Sequence, residues 1–172
     1  MGKGLGKKLV IITSYSENEK KKSYEKFKRN NKDYKDYKIL KDLNIQDELK
    51  EIKNLKDDCN KVLIIQKELN IDVTLVGIRF ARVKGYDVEF IFEKGDLNSM
   101  LNKIEGKFGN ILNSKEFNAK REEILWLKEE YELYEDSMRI INYYRNMKLE
   151  EMQKLHKKIC KNYEELENRK KN

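Results

Sequence analysis

Apolar residues recur in sevens through the last third of the chain. The repeat begins at Phe117, and a second apolar position follows three residues later in about half of the heptads, while Glu, Lys, Arg and Asn fill most positions between them. Such a pattern is typical of a helix that packs along another helix. We therefore predict one long helix over residues 113–172, opened by a capping box at residues 113–116. The predicted contact residues are Ile124, Leu127, Tyr131, Tyr134, Met138, Ile141, Met152, Leu155 and Ile159.

Two arrangements of this helix satisfy the pattern. In the first, two copies of the chain pair in parallel as a coiled coil, because no other predicted segment is long enough to cover the helix. In the second, the helix folds back within one chain at residues 142–148, where Arg145 and Lys148 interrupt the apolar seam together. We predict the homodimer and keep the intramolecular helical hairpin as the alternative.

The amino-terminal part of the chain shows shorter patterns. Residues 9–13 form a continuous, mostly β-branched apolar run, which predicts a buried strand, and the polar residues before Glu17 predict the start of a helix. Residues 9–16 (LVIITSYS) resemble the opening strand of flavodoxin-like and TIR-type domains. No alternating series of strands and helices is predicted after them, so no family is inferred from the resemblance.

Two further helices are predicted from the spacing of apolar side chains. Steps of three and four residues over residues 45–69 predict an amphipathic helix, with Asn44 as its amino-terminal cap and Asn70 as its stop. A second helix, capped by Asp96, is predicted over residues 97–111, and two glycines weaken its end.

A β-hairpin is predicted between these two helices. Two apolar runs flank Gly85, and a three-residue loop with a G1 bulge at this glycine gives chemically sensible pairs on both faces. In this register Phe80 pairs with Val88 on the apolar face, and Arg79 pairs with Glu89 on the other face. The amino-terminal strand is a candidate third strand, since a lone hairpin is marginally stable.

Together these elements predict a predominantly helical α+β protein. Residues 1–7 are expected to form a flexible leader, residues 8–112 a small domain with the β-hairpin, and residues 113–172 the long helical element with a basic tail. The absence of proline and the high content of charged residues, 40%, agree with a chain that is largely exposed helix.

Positive charge is concentrated at the two ends of the chain. Residues 1–40 contain 12 Lys/Arg and 5 Asp/Glu, and residues 145–172 contain 9 and 5, whereas the residues between them carry a small negative net charge. Basic ends favour an anionic partner, most often nucleic acid. Residues 20–38 also interleave tyrosines and a phenylalanine with the cations, so base stacking and core packing are competing explanations for the aromatic side chains. The candidate nucleic-acid ligands are Lys20, Lys21, Lys22, Lys26, Lys28, Arg29, Lys157, Lys158 and Lys161.

No catalytic or metal-binding constellation is apparent. The chain has one histidine, His156, four residues before Cys160, and two ligands are too few for zinc. Asp87 and Glu89 would share a strand face, but the predicted pairing of Glu89 with arginine explains that residue. The glycines near the amino terminus precede a strand, whereas phosphate-binding glycine loops follow one. We therefore predict neither an enzyme nor a cofactor.

Two function classes follow from these patterns. The first is a dimeric accessory protein that contacts DNA or RNA, in a role such as regulation, replication or segregation. The alternative is an adaptor or inhibitor that docks a protein partner on the long helix or the hairpin, where Tyr and Trp126 suit an interface.

With two cysteines that have no metal-type spacing, and no apolar run near 18 residues, we predict a cytoplasmic protein that does not span a membrane.

Overall fold

The computed structural model of the protein describes residues 6–14, 17–67, 70–93, 129, 133 and 135–171. Within them, strands and helices alternate from the amino terminus, and helical residues 135–146 precede a final long helix. A short 3-10 turn, Tyr34–Asp36, precedes the second strand. In chain order the regular elements are β1 (Lys7–Ser14), α1 (Glu17–Asn30), β2 (Lys38–Lys41), α2 (Ile45–Lys53), β3 (Lys61–Ile65), α3 (Ile71–Val83), β4 (Tyr86–Glu93) and α4 (Leu149–Lys171).

The four strands form one parallel sheet in the order β2-β3-β1-β4. The predicted strand at residues 9–13 is confirmed, and it lies inside the sheet, with Ile11 aligned with Ile64 of β3 and with Phe90 of β4. Residues 9–12 are at most 1% exposed. A strand buried on both faces has no polar alternation, which explains why this run is continuously apolar.

Alternate side chains of the sheet pack against different helices. Leu9 and Ile11 belong to the core cluster that includes residues of α2 and α3, whereas Val10 and Ile12 pack with Phe27 of α1. This arrangement follows from right-handed crossovers, because the chain moves from β1 to the edge strand β2 and then returns across the sheet to β3 and β4. Helix α1 therefore covers one face, and α2 and α3 cover the other.

The predicted β-hairpin is wrong. Residues 71–83 form helix α3, and Gly85, with φ of 93°, lies in the turn between α3 and β4. Asn70 does not stop a helix but caps α3, since its Oδ1 accepts a hydrogen bond from the Val73 amide at 3.0 Å. The proposed partner of Glu89 is also different, because Glu89 forms an ion pair with Lys8 of β1 at 3.2 Å.

The predicted helix over residues 45–69 is wrong in its second half. Asn44 does cap α2, with its Oδ1 accepting from the Asp47 amide at 2.8 Å, but the helix ends at Lys53. Residues 61–65 form β3, and Cys59, expected on the helix, lies in the loop before that strand. The run Val-Leu-Ile-Ile in β3 is buried on both faces and fits a helical stripe equally well, so spacing alone could not distinguish the two.

The fold is thus mixed α/β with a parallel sheet, rather than α+β with a hairpin. The alternating series of strands and helices that was not expected after residues 9–16 is present. Its strand order nevertheless differs from that of flavodoxin-like domains, in which the first strand lies between the second and third. Here β1 lies between β3 and β4.

Of the long helix predicted over residues 113–172, the described part is helical at residues 135–146 and in α4, with an interruption at residues 147–148. Ile141, in the helical residues 135–146, and Met152 of α4 are both fully buried. At the interruption, Arg145 Nε donates to the Val88 carbonyl of β4 at 2.7 Å, and Arg82 of α3 donates to the Met147 carbonyl. Arg145, which interrupts the apolar seam in the sequence, therefore anchors this segment to the sheet.

Several predictions lie outside the described residues. They concern the helix over residues 97–111, the capping box at 113–116, and four of the contact residues of the long helix, Ile124, Leu127, Tyr131 and Tyr134. Among the helices that are described, none has the length and apolar character to cross a membrane.

Replacing Ile141 by alanine tests the packing of the carboxy-terminal segment. Ile141 is fully buried against the cluster that contains Val88 and Phe90, so Ile141→Ala should lower the free energy of unfolding by about 2–5 kcal/mol. Its neighbour Ile140 is 45% exposed, so Ile140→Ala should change it by less than about 0.5 kcal/mol. Urea denaturation of both variants measures this difference, and equal effects would contradict the packing described.

Candidate functional site

The outer face of α1 carries most of the cations predicted to bind nucleic acid. Helix α1 packs on the sheet through Ser23 and Phe27, which leaves Lys21, Lys22, Lys26 and Arg29 exposed and Lys28 half-buried. Acidic residues in its first turn and basic residues in its last turn complement the helix dipole. These five cations, on one side of a single rigid helix, are called the α1 basic face below.

Part of this positive charge is neutralised within the helix. Lys22 pairs with Glu19 at 3.5 Å and Lys28 with Glu25 at 2.9 Å. The hydrogen bond from Lys28 holds the pKa of Glu25 below its usual value and, reciprocally, raises the pKa of Lys28. Lys21, Lys26 and Arg29 form no ion pair with any described residue. They are the cations of α1 that are free to meet an anionic partner.

Lys20 has a different role from the one predicted. It is 6% exposed, and its Nζ donates to the backbone carbonyls of Gln66 and Lys67, both at 3.1 Å, and to the Glu17 carboxylate. An ammonium group has three donors, so all of them are satisfied within the protein. Lys20 therefore ties α1 to the segment after β3 and is not exposed to a phosphate.

The second group of predicted cations lies on the other side of the molecule. Lys157, Lys158 and Lys161 are exposed on α4. Helix α4 packs on α3, which covers the sheet face opposite to α1. The fold therefore does not bring the two basic segments together into one surface.

The aromatic residues near the α1 basic face belong to the core. Phe27 and Tyr37 are buried and meet edge to face, with ring centroids 5.2 Å apart. Tyr24 and Tyr34 are partly buried and pack against the same cluster, and Lys28 Nζ lies 4.6 Å from the centroid of the Tyr24 ring. Of the two explanations for these aromatic side chains, the structure favours core packing over base stacking.

The described contact residues of the long helix differ in exposure. Ile141 and Met152 are fully buried by the chain itself, and Met138 packs partly buried against the same core as Ile141. Leu155 and Ile159 are half-buried on α4. Intramolecular packing therefore accounts for part of the heptad pattern, and dimerisation stays a prediction.

A buried polar cluster, which the sequence patterns did not reveal, lies at the carboxyl end of the sheet. Gln66, directly after β3, is 3% exposed, and its Nε2 donates to Glu48 Oε2 of α2 at 3.1 Å and to Thr74 Oγ1 of α3 at 3.0 Å. Thr74 in turn donates to the Asn70 carbonyl at 2.7 Å. Gln66 thereby links the start of α3 to α2.

This cluster lies at the carboxyl ends of β1 and β3, the part of an open parallel sheet where other proteins with such sheets bind ligands. Neighbouring strands β1 and β3 lead into helices on opposite faces of the sheet, and open parallel sheets bind ligands at such a switch point. Thr13 Oγ1 and Gln66 Oε1 are buried there and have no hydrogen-bond partner among the described residues. Thr13 and Gln66 each follow directly after an apolar run in the sequence. If both runs had been predicted as parallel strands, these two polar residues would have been predicted to lie together at the carboxyl end of the sheet.

Two further residues that can bind metals, Cys160 and His156, lie side by side on α4. Cys160 Sγ lies 3.6 Å from His156 Nε2, as their spacing on a helix suggests. Within the ranges that the structure describes, no group of three or more His, Cys, Asp or Glu side chains could hold a metal ion. Asp87 and Glu89 do share a strand face, but Glu89 is paired with Lys8.

Comparison with known proteins adds no functional assignment. No family model matches this chain, and neither a curated protein nor a solved structure shows significant similarity to it. Function is therefore inferred from the surfaces described above.

Replacing Lys20 by methionine tests its structural role. Lys20→Met keeps the length of the side chain but leaves the Gln66 and Lys67 carbonyls without their donor. It should lower the free energy of unfolding by about 1–3 kcal/mol, whereas Lys21→Met, at an exposed position one residue away, should change it by less than about 0.5 kcal/mol. Thermal and urea denaturation measure both, and a stable Lys20→Met protein would contradict the anchoring role.

Glu48 makes folding stability depend on pH. Burial raises the pKa of the Glu48 carboxyl above its usual value of 4.5, although the hydrogen bond from Gln66 opposes this. The folded state then holds the proton more tightly than the unfolded state, so the stability from this group is present at low pH and is lost as pH rises through the folded pKa.

The variant Glu48→Gln removes the ionisation and keeps an oxygen that accepts from Gln66. Relative to the unchanged protein, it should gain stability as pH is raised from about 4 to 7, because only the glutamate must become charged in a buried site. Urea denaturation across this range measures the difference. The exposed neighbour provides the control, Asp47→Asn, and a pH-independent difference for Glu48→Gln would exclude buried ionisation.

Proposed function

We propose that this chain is a non-enzymatic accessory protein that binds nucleic acid through the α1 basic face. The main support for this proposal is that Lys21, Lys26 and Arg29 are exposed on α1 and form no ion pair with a described carboxylate. Lysine and arginine that neutralise phosphates release counterions from the nucleic acid, and this supplies binding that is independent of base sequence.

The expected mode of binding is contact with the phosphate backbone. The aromatic residues of α1 and the following turn are engaged in the core, so they are not counted as stacking partners for bases. Long, exposed side chains on a helix can follow a strand of phosphates without reading base edges. We therefore expect little discrimination between sequences, in keeping with an accessory role in regulation, replication or segregation.

A protein-binding function is the second candidate, and the outer part of α4 favours it. Tyr163 and Leu166 are 67% and 54% exposed on this helix. Tyrosine and large apolar residues that remain exposed after folding are typical of contact surfaces. A second copy of the chain, in the predicted homodimer, would also cover them, and the mass of the protein measured by light scattering distinguishes a dimer from a monomer.

Neutralising the free cations of α1 tests the leading proposal. The triple variant Lys21→Gln, Lys26→Gln, Arg29→Gln should weaken binding to mixed-sequence DNA or RNA. The slope of log affinity against log salt should also become shallower by about 2–3, because about 0.7–0.9 counterions are released per neutralised phosphate. Fluorescence anisotropy with labelled oligonucleotides, from about 50 to 200 mM salt, measures both effects.

The matched control removes the same charge from the opposite side of the molecule. The triple variant Lys157→Gln, Lys158→Gln, Lys161→Gln alters three exposed residues of α4, and it should bind nearly as tightly as the unchanged protein. Equal loss in both triple variants would show that net charge, not the α1 basic face, drives binding. No binding by the unchanged protein at about 50 mM salt, where non-specific contacts are strong, would refute the proposal.

A further inference from the structure

A groove of about 830 Å³ lies between α4 and the paired helices α2 and α3. This volume is within the range of roughly 300–1,000 Å³ that is usual for small-molecule sites. Its lining is apolar along much of its length, with a few charged groups at defined places. The lining residues include Leu49, Lys53, Arg79, Phe80, Ile159 and Cys160.

Two cations converge on one aromatic ring in the wall of this groove. Lys53 Nζ of α2 lies 4.9 Å from the centroid of the Phe80 ring, and the guanidinium carbon of Arg79 lies 5.3 Å from it. Neither cation forms an ion pair with any residue that the structure describes. No described carboxylate neutralises either cation, so both are available to a bound anion.

The carboxylates of the groove do not fill this role. Glu164 and Glu167 line the groove from α4, and no ion pair joins either of them to Lys53 or Arg79 in the described chain. Their charge instead opposes a ligand with more than one negative group. Lys171 of α4 also lines the groove, so three cations and two carboxylates give its lining a net charge of +1. A ligand with a single anionic group, held on the α2 and α3 side, would balance this charge.

Cys160 and His156 lie next to these cations. Cys160 Sγ contacts His156 Nε2 at 3.6 Å, and the imidazole meets the Phe80 ring edge to face with centroids 5.0 Å apart. Burial, together with the nearby charge of Arg79, lowers the pKa of His156 below its usual value of 6.5. This shift favours the neutral imidazole, so the positive charge in this part of the groove comes from Lys53 and Arg79.

We propose that the groove binds a small apolar molecule with one anionic group, such as an aromatic carboxylate. Its anionic group would lie near Lys53 and Arg79, because an arginine fork and a lysine ammonium both bind carboxylates. Its apolar body would lie along Leu49 and Ile159, which line the groove on either side. This site is separate from the α1 basic face, so the proposal does not depend on nucleic-acid binding.

Three naphthalene derivatives of similar shape test the proposal on the full-length protein. 2-Naphthoate carries a carboxylate, 2-naphthalenemethanol is neutral, and 2-naphthylmethylamine is cationic. Calorimetric titration should show that the carboxylate binds about tenfold or more tighter than the alcohol, the amine being weakest, since only the carboxylate can form an ion pair with Lys53 and Arg79.

Alkylation of the cysteines reports where the ligand is bound. Saturating 2-naphthoate should slow the reaction of iodoacetamide with Cys160, which lines the groove. The rate at Cys59, in the loop before β3, should not change, so this cysteine serves as an internal control within the same sample. Peptide mass spectrometry separates the two sites.

Variants of the two cations complete the test. Lys53→Gln, at an exposed position, and Arg79→Gln should each reduce the preference for the carboxylate about tenfold. Lys50→Gln, on the same helix but outside the groove, should leave the preference unchanged. Equal affinity for the carboxylate and the alcohol, absence of binding, or unchanged alkylation of Cys160 would each overturn the proposal.

Discussion

The burial of β1 in the middle of the sheet is the constraint on which the rest of the structure depends. Residues 9–12 are at most 1% exposed, and full burial of one such side chain contributes roughly 1.5–3 kcal/mol. A parallel sheet with an apolar central strand must be covered on both faces. Helix α1 covers one face, and α2, α3 and the helical residues 135–146 cover the other, so this requirement sets on which side of the molecule each described helix presents its exposed residues.

The two-sided covering separates the basic segments of the chain. The cations of α1 and those of α4 are similar in composition, yet their helices lie on opposite faces of the sheet. The same packing also gives one lysine of α1 a structural role. Lys20 faces the sheet, where it donates to two carbonyls after β3, whereas Lys21, one residue on and about 100° around the helix, is exposed. A basic run in sequence is thus divided by the fold into a structural anchor and a surface.

The described carboxy-terminal residues also help to cover the sheet, because Ile141 packs in the core on one of its faces. Their heptad pattern predicts a helix that packs along another helix, and the apolar positions Ile141 and Met152 are indeed buried, but by the chain's own core. Arg145, which breaks the pattern, donates to a carbonyl of the edge strand β4. The residues of α4 that remain exposed or half-buried, including Tyr163 and Ile159, are the ones left to contact a ligand or a partner.

The sequence by itself determined the buried first strand, the cap at Asn44, the helical character of residues 135–171 apart from the break at 147–148 and, except for Lys20, the exposed or half-buried cations of α1, because each depends on local spacing or on single-residue chemistry. Only the tertiary structure decided that residues 61–65 are a strand and residues 71–83 a helix. Both segments are short and apolar, and burial on two sides removes the periodicity that would distinguish them. Local sequence patterns could not reveal the polar cluster at Gln66 or the groove beside α4, since each is formed only when separate elements pack together.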